Sequence, residues 1–188
     1  MLPSQAGLRV TIAAPGSGAG LENSMLKGLL IVVVALVLLV IVAGQIGLLS
    51  GTAPDNLGLR DGKLKAPSNS PNSVSSQADL WPGHAQGDYA RIAPLALTGE
   101  GKADGAATLA RIQAIVRGMP GATVVKTEPG YLYATFNTRL LKYTDDVEFW
   151  FDAASQVVQV RSASRLGRKD FGVNRARVEA IRAQLGKG

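Results

Sequence analysis

The clearest pattern in the chain is at positions 146–152, where Val147, Phe149 and Phe151 alternate with Asp146, Glu148, Trp150 and Asp152. A period of two is typical of a strand with one buried face. After a turn of four residues the segment 157–165 repeats the pattern. The two segments therefore predict a β-hairpin in which Glu148 lies opposite Arg161 and Trp150 opposite Gln159. Its buried face would carry Val147, Phe149, Phe151, Val158 and Val160.

The other face of this hairpin is polar and carries Asp146, Glu148, Trp150, Arg161 and Arg165. An opposed Glu148–Arg161 pair on an open face would stabilise the hairpin by about 0.2–1 kcal/mol. The three acids at positions 145, 146 and 148 predict ion pairs rather than a metal site, because Asp145 and Asp146 point to opposite faces of the strand.

Three further patterns surround the hairpin. Residues 89–98 predict a short edge strand around Pro94, since proline is tolerated at sheet edges. Residues 123–138 predict a second hairpin with its turn at positions 129–130. Two helices are predicted by apolar positions at helical spacing, one after the capping residue Asp104 and one from about residue 170 to 185.

Together these elements predict an α+β fold, a two-layer domain with an antiparallel four-stranded sheet and two helices on one face. The inward positions of the helices are Leu109, Ile112, Val116, Val178, Ile181 and Leu185. The domain would cover residues 89–188, after a linker and irregular arm at 50–88 that is rich in Ser, Asn, Gly and Pro.

Three ordered motifs resemble a bacterial and plastid family known as domain of unknown function 1499. They are RSASRLGRKDFGVNRARVEAIR at 161–182, DDVEF at 145–149 and PSNSPNSVSS at 67–76. The resemblance spans about residues 54–185, and it implies a fold and an envelope setting but no activity. Relatives often carry Cys where this chain has Ser68 and Ser73, so a thiol, disulfide or metal role is excluded for that loop here.

Residues 28–44 contain no polar side chain, and the apolar character resumes after Gln45. About 20 such residues span a bilayer as a helix. We therefore predict a transmembrane helix over 26–49, preceded by a flexible tail over 1–25, although Met25 would also make a normal start. A cleaved signal peptide is the alternative, but its apolar region is normally shorter.

The orientation of the helix is set by the charges that flank it. Lys27 favours a cytoplasmic N-terminus, whereas Arg60, Lys63 and Lys65 favour the opposite orientation from a greater distance. Together with the envelope setting that the resemblance implies, this predicts a protein of the bacterial inner membrane with a periplasmic domain.

Candidate catalytic chemistry is sparse. Ser73, Ser75 and Ser76 need an adjacent base to act as nucleophiles, and the single histidine, His84, lies in a Gly/Pro-flanked loop. The sequence contains no metal-ligand cluster, phosphate-cradling glycine loop or catalytic triad. No cofactor is expected. The net charge of +6 is concentrated after residue 161, and it suggests anionic partners, but membrane tethering argues against nucleic acid.

These observations favour a non-catalytic binding module for a protein or an anionic lipid headgroup. The residues assigned to binding are Asn72, Ser75, Ser76, Arg139, Trp150, Arg161 and Arg165. On an open sheet face, Trp and Arg have the make-up of an interaction hot spot. Alternatively, the arm over residues 67–76 folds across this face and uses the same side chains for its own hydrogen bonds. An extracytoplasmic hydrolase with unidentified catalytic residues is the second function, and a deep pocket lined by convergent polar groups would favour it.

Overall fold

The computed structural model describes residues 18–98 and 104–187, with side chains from residue 22 onward. The chain divides into two compact units, one up to Val40 and one from Ile41. Of the predicted tail over 1–25, residues 1–17 lie outside the described residues. Residues 18–25 are helical.

The helix α1 runs over Gly18–Gln45. Within it, Glu22–Gln45 is long and apolar enough to cross a membrane, with a mean hydropathy of 3.1 in its most apolar part. Most of its side chains from Glu22 onward are exposed to solvent, as the side chains of a lipid-facing helix would be. A membrane anchor and a signal sequence both meet these criteria.

The second unit is built on an antiparallel sheet. Its strands are β1 at Ser73–Ser75, β2 at Leu95–Ala96, β3 at Ala122–Glu128, β4 at Tyr131–Asn137, β5 at Thr144–Asp152 and β6 at Val157–Ser164. The order is β1-β6-β5-β4-β3, and β2 also pairs with β6. The register predicted for the β5–β6 hairpin is confirmed, with Glu148 opposite Arg161 and Trp150 opposite Gln159.

The prediction of four strands is wrong, because the sheet formed by the described residues has six. The two additional strands are short: β1 has three residues and β2 has two. β2 falls within the short edge strand predicted at 89–98, whereas β1 is too short to show an alternation of apolar and polar residues. β1 also lies inside the arm that was predicted to be irregular, where it pairs with the outer edge of β6.

The two predicted helices are α3 at Gly105–Arg117 and α4 at Val173–Leu185, with the four-residue helix α2 at Gly87–Ala90 and a 3-10 turn at Ala78–Leu80 before them. Asp104 caps α3 by accepting a hydrogen bond from the backbone N–H of Ala106, 2.8 Å away. Both long helices pack on one face of the sheet, and their predicted inward residues all belong to the core with Val147, Phe149, Val158 and Val160.

The opposite face of the sheet is covered by the arm, which agrees with the alternative prediction that the arm folds across it and not with an open face. Glu148 is fully buried and Arg161 is 3% exposed. Backbone groups of the segment 54–68 contact both side chains, from Gly58 and Ala66 respectively. The domain therefore has a third, irregular layer over its polar face.

Candidate functional site

Three carboxylates of β5 each pair with a different arginine. Asp145 contacts Arg177 of α4 at 2.5 Å, on the helix side of the sheet. Asp146 and Glu148 pair with Arg165 and Arg161 on the other side, at 2.7 and 3.8 Å. The predicted ion-pair network is thus present, and Asp145 and Asp146 do point to opposite faces.

The pair between Asp146 and Arg165 is bidentate. Arg165 donates from Nε and Nη2 to the carboxylate, over distances of 2.7 to 3.1 Å. The hydroxyl of Tyr133 donates to the same carboxylate at 2.6 Å. Burial and this carboxylate together raise the pKa of Tyr133 to about 12. Both charges of the pair are therefore well satisfied.

Glu148 is satisfied on one oxygen only. Its Oε1 accepts hydrogen bonds from the backbone N–H of Gly58 at 2.6 Å and from the hydroxyl of Tyr131 at 2.8 Å. Its Oε2 is buried and has no hydrogen-bond partner within the described residues. Burial raises the pKa of Glu148, although both donors and Arg161 act in the opposite direction. The protonated form is accordingly favoured more than in a solvated glutamate.

Arg161 makes few polar contacts for a buried charged group. Its side chain is 4% exposed, and Nη1 is 3.8 Å from Oε2 of Glu148, which is beyond hydrogen-bond distance. The hydrogen bond that the guanidinium makes within the described residues is a long one, from Nε to the carbonyl of Ala66 at 3.3 Å. Burial lowers the pKa of Arg161, and the carboxylate of Glu148 offsets this only in part.

Arg161 lines an open cleft of about 550 Å³ between the arm and the end of β6. The side chains that carry charge or can carry it there are Lys65, His84, Asp146, Arg161 and Arg165. Asp146 is occupied by Arg165, and Nζ of Lys65 donates to Oδ1 of Asn56 at 2.6 Å. With a neutral histidine the cleft holds three positive charges against one negative charge, so its electrostatics favour an anion.

The structure brings together three of the seven residues assigned to binding: Asn72, Arg161 and Arg165 all line the cleft. Asn72 donates from Nδ2 to the carbonyl of Gly167 at 2.7 Å, while its buried Oδ1 has no partner within the described residues.

The other four binding candidates lie away from the cleft. Trp150 is half-buried on β5 beside Tyr131, and Arg139 is exposed in the turn between β4 and β5. Ser75 accepts from the backbone N–H of Gln77 at 3.1 Å. Ser76 donates to Oε1 of Gln159 at 2.7 Å. The side chain of Ser76 therefore holds the arm to the sheet, whereas the bond of Ser75 stays within the arm.

The cleft contains convergent polar groups, but the described residues show no nucleophile paired with a base. Nδ1 of His84 accepts from the backbone N–H of Gln86 at 3.1 Å. Ser68, the serine of the arm that lines the cleft, donates its backbone N–H to Oγ of Ser73 at 2.8 Å. No group of three or more His, Cys, Asp or Glu in the described part of the chain could hold a metal ion.

Sequence reasoning assigned Asn72 of the arm to binding, and Asn72 lines the cleft, but it did not identify the other arm residues there. Lys65, Asn69 and His84 line the cleft, and none of them stands in a pattern that indicates a function. The positive charge of Lys65 was considered only as a signal for membrane orientation. The segment 54–68 reaches Glu148 and Arg161 through single backbone groups, of Gly58 and Ala66, and backbone groups leave no signal in the sequence.

The model of the family described as Protein of unknown function (DUF1499) matches residues 63–185. The match includes most of the arm, the whole sheet and α2 to α4. No curated protein and no solved structure matches the chain.

Proposed function

We propose a binding function for this chain, which belongs to the DUF1499 family of proteins of unknown function. It acts as a non-catalytic binding module, anchored in the bacterial inner membrane by α1, with its domain in the periplasm. The cleft beside Arg161 takes an anionic oxygen group, a carboxylate or a phosphate, of a lipid headgroup or of a protein partner.

The observation that carries this proposal is the state of the Arg161 guanidinium. A buried arginine is stable only when its charge and its donors are satisfied. Arg161 makes one long hydrogen bond, and the carboxylate nearest to it is 3.8 Å away. Since Arg161 lines the cleft, an anion there would accept its remaining hydrogen bonds and supply a counter-charge closer than Glu148, which is 3.8 Å away.

The surroundings of Arg161 support the same ligand chemistry. Arg165 and Lys65 add positive charge at the walls, and arginine recognises carboxylate and phosphate through paired hydrogen bonds. The bidentate pair with Asp146 holds Arg165 in place, so its charge is positioned without a ligand. Pre-ordered donors of this kind reduce the entropic cost of binding.

The first experiment measures anion binding by the full chain in a mild detergent. Inorganic phosphate, glycerol phosphate and acetate are titrated, and binding is followed by calorimetry and by the rise in melting temperature. We expect saturable stabilisation by phosphate or acetate. Tighter binding of glycerol phosphate than of phosphate would indicate a lipid headgroup as the ligand. Equal binding of the two would indicate a simpler anion.

The matched variants separate binding from folding. In the double variant Glu148→Gln/Arg161→Gln both buried charges are removed together, so the domain keeps its charge balance while the cleft loses its central donor. Arg117→Gln removes an exposed positive charge from the end of α3. We expect the double variant to lose the anion response and Arg117→Gln to keep it. Saturable binding that survives in the double variant would contradict the proposal.

A further inference from the structure

A second surface of the domain lies at the sheet end where β4 leads into β5 and β6 ends. The turn between β4 and β5 and the segment after β6 are neighbours there, because the backbone N–H of Arg165 donates to the carbonyl of Thr144 at 3.0 Å. Val173 shares an open pocket of about 300 Å³ with Asn137 and Thr138. The two loops therefore form one continuous end surface.

This end surface exposes an unusual number of apolar side chains. They are Leu140, Tyr143, Leu166, Phe171 and Val173, with Phe171 91% exposed. A single exposed apolar residue needs no explanation, but a group at one end of a domain indicates an interaction site.

The backbone holds Phe171 in this exposed position. Phe171 has φ 52°, and a bulky residue in the left-handed region is a rare and strained conformation. The carboxylate of Asp170 fixes the turn by accepting from the backbone N–H of Gly172 at 3.0 Å and of Asn174 at 3.2 Å. The hydroxyl of Tyr89 also donates to Asp170. These hydrogen bonds hold the turn in its strained conformation, and the turn makes the ring of Phe171 protrude from the surface.

The charges around these apolar residues have one sign. The two loops carry Arg139, Lys142, Arg168 and Lys169, and none of the four has an acidic partner within 4.0 Å in the described residues. Asp170 is the one carboxylate between residues 164 and 176, and it is 7% exposed. Apolar side chains ringed by lysine and arginine match the interface of an anionic bilayer.

A third segment of the second unit, around residues 45–51, borders this surface. Gln45, the last residue of α1 and part of the second unit, donates from Nε2 to the carbonyl of Leu140 at 2.8 Å. Gly51 packs so closely against Arg165 and Leu166 that an added Cβ would lie 2.8 Å from Cβ of Arg165. Residues that follow the apolar stretch are therefore in contact with both loops.

We propose that this end of the domain rests on an anionic bilayer, with Phe171 and Leu166 inserted into the headgroup region and Arg168 and Lys169 at the phosphates. The inference depends on the anchoring part of the proposed function, since it takes the bilayer to be the one that α1 enters. The contact would hold the anion cleft at the membrane surface, because Asn72 of the cleft donates to the carbonyl of Gly167 in the same loop.

The absence of cysteine makes a direct test available. A Phe171→Cys variant of the full chain is labelled with an environment-sensitive dye and reconstituted into vesicles of phosphatidylcholine, with and without phosphatidylglycerol. We expect a blue shift, a several-fold rise in emission and strong quenching by lipid-attached nitroxides in the vesicles that contain phosphatidylglycerol. Leu80→Cys is the control, because Leu80 is 44% exposed. It follows the end of β1, which runs antiparallel to β6 and so leads away from the loop after β6.

Charge variants of the labelled chain identify the source of the response. Arg168→Gln/Lys169→Gln should reduce the quenching several-fold, whereas Arg60→Gln/Lys63→Gln, with the same change in charge, should not. A label at position 171 that stays accessible to water in a chain that floats with the vesicles overturns this inference. A response that is equal in both lipids and unaffected by the loss of Arg168 and Lys169 overturns it as well. If the chain fails to float with vesicles, anchoring by α1 has failed instead, and the cleft can still be tested in solution.

Discussion

At the centre of the sheet, the two faces are both fully buried, but by opposite chemistry. Phe149 and Glu148 are neighbours on β5, and both are 0% exposed. The face that carries Phe149 packs apolar side chains against α3 and α4. The face that carries Glu148 holds two ion pairs under an irregular arm. Alternation of apolar and polar residues therefore does not by itself mean that one face meets solvent.

The two faces also differ in what their burial contributes. Burying an apolar side chain fully stabilises the fold by about 1.5–3 kcal/mol. A buried ion pair often contributes little net stability, because desolvation offsets the attraction between the charges. We therefore expect stability to reside mainly on the helix side and ligand recognition on the arm side.

Phe149→Ala should have the largest effect, a loss of about 3–5 kcal/mol in the free energy of unfolding, because it leaves a cavity in the centre of the core. Urea unfolding of the full chain in a mild detergent can be followed by tryptophan fluorescence, since both tryptophans, Trp81 and Trp150, lie in the second unit. The control Val125→Ala, at a residue 54% exposed, should change the free energy by less than about 0.5 kcal/mol. Equal losses in the two variants would mean that Phe149 is not in the core.

Arg161→Ala should have the next largest effect, a loss of about 3 kcal/mol in the free energy of unfolding, because it leaves the buried Glu148 without a counter-charge. An exposed pair would lose about 1 kcal/mol or less, so the magnitude distinguishes the buried arrangement from the open face expected from the sequence. Part of the loss should be recovered in Glu148→Gln/Arg161→Gln, in which no charge is left unpaired. If the double variant is as unstable as Arg161→Ala, packing by the arginine stem is the main contribution.

The sequence predicted the helix side of this comparison well and the arm side only in part. The positions of Val147 and Phe149 follow from a period of two over the seven residues 146–152, and a four-residue turn sets Glu148 opposite Arg161. These are local signals. The burial of Glu148 depends on a backbone N–H that comes from Gly58, 90 residues away. Such a contact has no periodicity and no preferred residue type.

The same reasoning applies to the cleft. Arg161 and Arg165 were assigned to binding because they alternate onto the polar face, and both line the cleft. Trp150 shares that face but lies farther along β5, beside Tyr131, where it does not reach the cleft. Alternation predicts on which face of the sheet a residue lies. Whether that residue reaches the cleft depends also on which part of the strand the arm covers. Lys65 and His84 come from that cover, which the sequence could not place.

The pH dependence of stability should have opposite signs for the buried acids Glu148 and Asp170. Burial raises the pKa of Glu148, so its contribution is complete below about pH 4.3 and is lost as the pH rises through the folded pKa. Burial acts on Asp170 in the same direction, but hydrogen bonds from Tyr89, Gly172 and Asn174 outweigh it and lower the pKa. Its contribution is present above about pH 3.9 and is lost as the pH falls through the folded pKa.

Urea unfolding of wild type, Glu148→Gln and Asp170→Asn between about pH 3 and 7 checks these signs. For one proton, the free energy of unfolding changes by at most about 1.4 kcal/mol per pH unit. Wild type should lose stability relative to Glu148→Gln as the pH rises above about 4.3. Relative to Asp170→Asn it should lose stability as the pH falls below about 3.9. Parallel curves for wild type and Glu148→Gln would show that Glu148 has an ordinary pKa.

Tyr131→Phe should have the smallest effect, a loss of about 1 kcal/mol, because it removes one hydrogen bond to Glu148 and leaves the donor from Gly58 in place. Tyr143→Phe is the matched control, since Tyr143 is 40% exposed and belongs to the end surface. A hydroxyl that donates to a carboxylate stabilises the charged form. The loss in Tyr131→Phe should therefore grow as the pH rises through the folded pKa of Glu148, as measured by urea unfolding at several pH values. A loss that is the same at all pH values would mean that the hydroxyl binds both forms of Glu148 equally and that the arm side is held by packing rather than by its charges.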